Sequence, residues 1–179
     1  LSILLIWLLS KGNVADYGLR RPFDCNWTRV ILLSIVIGIL VASIRTAVMG
    51  GEEGTIEDYF GIQIMIGVWV YASVAEEFLT RGLIQGYLEP LAEPDVTSPG
   101  TRISTPVLVG ALFFALMHFA MVTLGLDITS VLATVVSAFL MGIIAGHYRE
   151  KTGSLAPSIL VHMLFNITGS IVFFLSGLL

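Results

Sequence analysis

The stretch VILLSIVIGILVASIRTAVM, residues 30–49, is a mostly apolar run interrupted by one charged side chain, Arg45. Crossing the hydrocarbon core of a bilayer takes about 20 residues of helix, and this run has that length. Further apolar runs lie at Leu1–Leu9, Phe60–Leu88, Ser104–Leu124, Thr129–Tyr148 and Ser154–Leu175. None alternates polar and apolar residues as a barrel strand does, and a helix is the one open-ended structure that satisfies every backbone group in lipid. The expected fold is therefore all-α: a polytopic transmembrane helical bundle of five full spans plus a truncated N-terminal helix. Leu1–Leu9 has no basic region before it and reads as the tail of a longer spanning helix, not as a signal peptide. The 179 residues then form a single integral membrane domain, 1–179.

Composition agrees. The chain is 56% hydrophobic and 12% charged, with a mean hydropathy of +0.92, whereas soluble domains carry roughly a quarter charged residues. Membrane lipid is its solvent. A net charge of −4 with scattered basic residues excludes nucleic acid as a partner, and the single Cys25 leaves no internal disulfide. The connecting segments alternate in charge. Ser10–Arg29 carries Lys11, Arg20, Arg21 and Arg29, while Gly50–Tyr59 carries Glu52, Glu53, Glu57 and Asp58 and no Lys or Arg. The positive-inside rule puts the first in the cytoplasm and the second outside, which leaves the C-terminus extracytoplasmic in a prokaryotic cell membrane. Arg45, near the outer end of its span, is expected to snorkel or to pair with an acid of the following loop. Leu88–Pro106, with Pro90, Pro94, Pro99 and Gly100, cannot continue a helix and reads as a loop. In the turn Lys151–Pro157, Gly153 suits the tight bend, Ser154 can cap and Pro157 fits a first helical turn.

Three polar sets stand inside these apolar segments: Glu76-Glu77 with Arg81, His118, and His162 with Asn166. An ionisable residue at bilayer depth costs about 2.5 to 3.5 kcal/mol on insertion scales, so each set is a functional candidate. Counting about 1.5 Å of rise per residue from the cytoplasmic ends puts Glu76, His118, His162 and Asn166 in one layer, roughly 12 to 21 Å deep. Glu76 and Glu77 diverge by about 100° on a helix and need separate partners. Glu77 and Arg81, at i and i+4, suit an intrahelical ion pair. Glu76 is then free to act as a general base, the alternative being that both glutamates only join helices. Phe114 lies one turn before His118 on the same face; a lone histidine there serves as an interhelical hydrogen-bonding group or as a catalyst. His162 and Asn166, also at i and i+4, can donate together to one oxygen, as an oxyanion requires, or can join helices. His147, beside Tyr148 and Arg149, reads as a residue of the membrane interface.

Glu76-Glu77-Phe78-Leu79-Thr80-Arg81, Phe114-Ala115-Leu116-Met117-His118 and His162-Met163-Leu164-Phe165-Asn166 resemble the EExxxR, FxxxH and HxxxN motifs of the CPBP family. That family comprises CAAX-type prenyl-protein endopeptidases and bacteriocin-processing or self-immunity (Abi) proteins. The resemblance runs from about Val68 to Thr168 within a motif-bearing core of about 60–175. The turn Thr152-Gly153-Ser154-Leu155 and, upstream, Tyr17-Gly18-Leu19-Arg20 are also similar to family segments. It implies an intramembrane endopeptidase of the glutamate type acting on a membrane-associated protein or peptide. Glu76, assisted by His118, would activate water; His162 and Asn166 would stabilise the oxyanion; Glu77, Arg81 and Phe114 would shape the site. No cofactor is implied by that mechanism. The alternative is zinc held by Glu76, His118 and His162, although no HExxH helix is present. Two other functions use the same residues: a non-catalytic membrane immunity or scaffold protein, and a proton-coupled transporter, against which the apolar outer half of the last helix counts.

Overall fold

The computed structural model describes residues 1–49, 60–91 and 103–178. The acidic segment Gly50–Tyr59 and most of the proline-rich loop, residues 92–102, lie outside the described residues. Every regular element described is helical: α1 (Ser2–Leu9), α2 (Trp27–Met49), α3 (residues 62–88), α4 (Thr105–Met117), α5 (Ile128–Thr152) and α6 (Leu155–Ser176). Short 3₁₀ turns cover Val14–Tyr17, Glu89–Leu91 and His118–Leu124, the last prolonging α4.

Among the described residues four helices are long and apolar enough to cross a membrane: Trp27–Val48, Thr105–Leu124, Ile128–Thr152 and Leu155–Ser176. α3 is not one of them. It is helical along its length, but π-helical stretches at Ile64–Ala72 and Phe78–Gln85 flank a short α-helical turn, Ser73–Glu77, and it carries Glu76, Glu77 and Arg81. Side chains distribute as lipid solvation demands. Leu32, Val36 and Leu40 of α2 are 58%, 61% and 56% exposed, while Ser34, Glu77, Arg81 and Gln85 are fully buried. An apolar surface this large on one chain marks it as an integral membrane protein.

Local chemistry sets the helix ends. Ser104 accepts a hydrogen bond from Val107 N at 3.4 Å, with Pro106 in the first turn of α4. Asp127 accepts from Thr129 N at 2.9 Å and from Ser130 N at 3.0 Å to start α5. α5 closes on Gly153 at φ +65°, with Arg149 and Lys151 complementing the negative end of its dipole. Ser154 then caps α6 by accepting from Ala156 N at 3.3 Å, as the sequence suggested. Arg45, for its part, lies over the Phe173 ring at 4.5 Å.

The tight α5–α6 turn is held by the N-terminal segment, so the two short stretches similar to family segments meet in space. Leu155 N donates to Gly18 O at 3.0 Å and Phe23 N to Thr152 O at 2.9 Å. Arg20 Nε donates to Gly153 O at 2.9 Å, the Ser154 hydroxyl to Arg20 O at 2.6 Å, and Arg149 Nη2 to Asp16 O at 2.8 Å. Arg149 is buried and also reaches both oxygens of Glu89 at 3.3 Å. Farther along, Ile6 of α1 is fully buried near Gly82 of α3.

Gly18 sits where this clamp is tightest. Its φ is +83°, and a Cβ there would lie 2.5 Å from Arg149 Nε. Gly18→Ala is expected to lower stability by more than about 1 kcal/mol, because backbone strain and a clash add. Gly12, at φ +93° with nothing within 4 Å, supplies the strain-only comparison. Thermal unfolding of the detergent-solubilised proteins checks both; equal melting temperatures for the two alanine variants would remove the clash from the explanation.

Candidate functional site

The three polar sets of the sequence come together where α3, α4 and α6 meet. Glu77 and Arg81 form the expected intrahelical pair, Nη1 to Oε1 2.8 Å, with both side chains fully buried. Arg81 Nη1 also donates to Thr80 Oγ1 at 2.6 Å, and the Thr80 hydroxyl donates to the Glu76 carbonyl at 2.7 Å. The guanidinium lies over the face of Phe114, 4.8 Å from its centroid. Space for it comes from Gly142 of α5, where a Cβ would sit 2.9 Å from Arg81 Nη2. Among the described residues Arg81 Nε and Nη2 and Glu77 Oε2 have no hydrogen-bond partner. The pair is thus tightly enclosed but not saturated.

Glu77 has Arg81 as its own partner, but Glu76 and Glu77 also share one. His162 of α6 enters between them, with Nδ1 3.0 Å from Glu77 Oε1 and Nε2 3.6 Å from Glu76 Oε2. The physical reason is the imidazole itself, whose two nitrogens lie on different edges of one ring and meet two carboxylates that leave the helix in different directions. Glu77, already paired with Arg81, accepts from Nδ1–H. Nε2 faces Glu76, which is one-third exposed while His162 is buried.

Phe114 is the hub. Its ring packs edge-to-face on His118 at 4.9 Å and on His162 at 5.3 Å, besides carrying Arg81. His118 Nδ1 lies 2.9 Å from the Phe114 carbonyl. A carbonyl oxygen only accepts, so Nδ1 carries the hydrogen and the neutral ring keeps its lone pair on Nε2. No ion-pair contact joins His118 to Glu76; the imidazole beside Glu76 belongs to His162. His118, His162, Phe114 and Asn166 line one cavity of about 250 Å³ between α2, α4, α5 and α6.

Asn166 is turned toward α3. Its Nδ2 donates to Ser73 Oγ at 3.0 Å and to the Val68 carbonyl at 3.3 Å, which uses both hydrogens of the amide. Ser73 is fully buried and was not singled out in the sequence; neither were Thr80 and Gln85, whose Nε2 donates to Gly146 O at 3.1 Å. The signal for Ser73 and Thr80 was helical spacing, since they stand four residues before Glu77 and four after Glu76. Among the described residues no three His, Cys, Asp or Glu side chains gather into a group that can hold a metal ion.

A family model described as type II CAAX prenyl endopeptidase Rce1-like matches residues 59–168. The chain belongs to that family. The match spans α3 to α6 up to Thr168 and so takes in all three polar sets. Membership carries the general class, a membrane protease of CAAX type, and a membrane setting for its protein substrate. No curated protein and no solved structure matches the chain.

Removing one partner of a buried ion pair costs about 3 to 5 kcal/mol, whereas replacing both by neutral groups of similar volume costs far less. Arg81→Met alone is therefore expected to lower stability by about that amount. The double variant Glu77→Gln/Arg81→Met, which keeps an oxygen to accept from His162, is expected to recover much of it. Melting temperatures of the three proteins in one detergent decide; a double variant no more stable than Arg81→Met would show that the pair is not the source of the cost.

Proposed function

We propose that this protein is an intramembrane endopeptidase of the glutamate type, hydrolysing a peptide bond of a membrane-associated protein or peptide without a metal step. The observation that carries the reading is the imidazole of His162, set between two carboxylates beside a cavity that also receives His118 and Asn166. Glu76, the more exposed carboxylate, is the general base. It takes a proton from water as the water oxygen attacks the scissile carbonyl carbon. His118, with its hydrogen on Nδ1, orients that water through the Nε2 lone pair.

As the carbonyl electrons move to oxygen, the developing oxyanion is met by N–H donors from α6. His162, with a hydrogen also on Nε2, supplies one; its Nδ1–H stays on Glu77, and Arg81 holds Glu77. Asn166 supplies the second once substrate draws its Nδ2 away from the Val68 carbonyl, the longer of its two bonds. Collapse of the intermediate breaks the C–N bond, and the protonated Glu76 returns its proton to the leaving amine. Glu77, Arg81 and Phe114 position the site and touch no reacting atom.

In this reading α3 is a fifth span, its charges shielded by α4, α5 and α6. The basic end of the bundle, with Arg29 and Lys151, faces the cytoplasm, and the C-terminus lies outside.

Glu76→Gln and His118→Ala are expected to slow cleavage of a membrane-anchored CAAX-type reporter by roughly 10²- to 10⁴-fold, the usual contribution of a general base, with melting temperature little changed. A Glu76→Gln protein that cleaves at the wild-type rate would rule out the glutamate mechanism. A scaffold function predicts that same insensitivity.

A further inference from the structure

Away from the histidines, where α2 begins and α5 ends, a second cavity of about 270 Å³ opens between these two helices. It shares no residue with the cavity that receives His118 and His162. Its lining is graded along the helices. Arg29 of α2 and His147 and Lys151 of α5 stand at the end of the bundle. One and two turns inward, Leu33 and Ile37 of α2 and Ile144 of α5 make an apolar wall. Among the described residues no Asp or Glu lines it. Arg29 and Lys151 are exposed and form no ion pair among the described residues. The arginines that build the fold differ in this respect: Arg81 is held by Glu77, Arg149 by Glu89 and Arg20 by the Gly153 carbonyl.

The geometry points to a binding site for an anionic phospholipid. Two cations at the end of the bundle can both face one phosphodiester, and the apolar slot that continues from them into the bundle has the chemistry to take an acyl chain. Basic pockets between transmembrane helices bind anionic headgroups in this manner, each Lys or Arg near the surface adding an attraction worth about a fivefold change in affinity. A free phosphate would use the rim and leave the isoleucine and leucine wall without a role. The site joins α2 to α5, which otherwise meet less extensively than α2 meets α6, so an occupying lipid would brace the side of the bundle that flanks the histidine cavity.

Native mass spectrometry of the full chain, released from detergent with limiting phosphatidylglycerol or phosphatidylcholine of identical acyl chains, tests this. Retention of phosphatidylglycerol over phosphatidylcholine is expected. Affinity for phosphatidylglycerol is expected to fall about fivefold in Arg29→Gln and about thirtyfold in Arg29→Gln/Lys151→Gln, both rim changes that leave the core untouched. Ile144→Trp, which fills the slot and keeps the cations, is expected to lose the same lipid. Glycerol phosphate, the soluble headgroup, is expected not to displace it. Equal retention of the two lipids, a double variant that binds like wild type, or displacement by glycerol phosphate alone would each overturn the assignment.

Discussion

A guanidinium enclosed in the middle of an apolar helical bundle has few ways to be stable, and the interior of this protein is organised around satisfying that of Arg81. Burying an ion costs several kcal/mol even after relaxation, so the charge persists only where an opposite charge and further hydrogen-bonding groups surround it. Glu77 supplies the charge, Thr80 an oxygen and Phe114 a ring face. Gly142 supplies room, and a single methyl at that position would press on Nη2. The same pairing fixes Glu77, Glu77 fixes the Nδ1 edge of His162, and the ring so fixed presents Nε2 to Glu76. The ion pair that resembles a structural staple is thereby also what orients the site.

The three helices of the site are brought together by different means. α3 and α6 are joined by polar contacts, His162 on Glu77 and Asn166 on Ser73 and Val68. α4 joins through an aromatic one, the Phe114 ring set against His118, His162 and Arg81. At the end of the bundle the N-terminal segment ties the α5–α6 turn through backbone and side-chain bonds around Gly18 and Gly153, both with positive φ. Pinning that turn sets where α6 starts and hence the height of His162, two turns later. This short clamp couples segments 133 and 134 residues apart in the chain to the height of the site.

Much of the arrangement was legible in the residue order. Apolar runs of bilayer length, separated by Gly, Pro and charge, dictate helices and membrane solvation whatever the tertiary packing, since lipid offers no other partner for the backbone. Spacing at i and i+4 foretold Glu77 with Arg81, and Ser154 and Gly153 foretold the break between α5 and α6. The strength of a span was less legible: α3, with three ionisable residues and π-helical stretches, does not stand among the four helices that length and composition alone mark as spanning among the described residues.

The convergence of the three polar sets was legible, but which group meets which across helices was not. Local geometry says that adjacent glutamates diverge, and they do, yet both end on His162 because an imidazole from another helix spans the gap between them. Glu76 and His118 look like natural partners as residue types, but the ring beside Glu76 is the one that α6 delivers, and His118 hydrogen-bonds its own helix at Phe114. Asn166 stands one turn from His162, yet its amide is turned to Ser73 of α3. Secondary structure and solvation follow from forces within one segment and its surroundings, so the chain alone determines them. Which polar group meets which depends on packing distances between segments far apart in the chain, and those are set only when the helices close around Arg81.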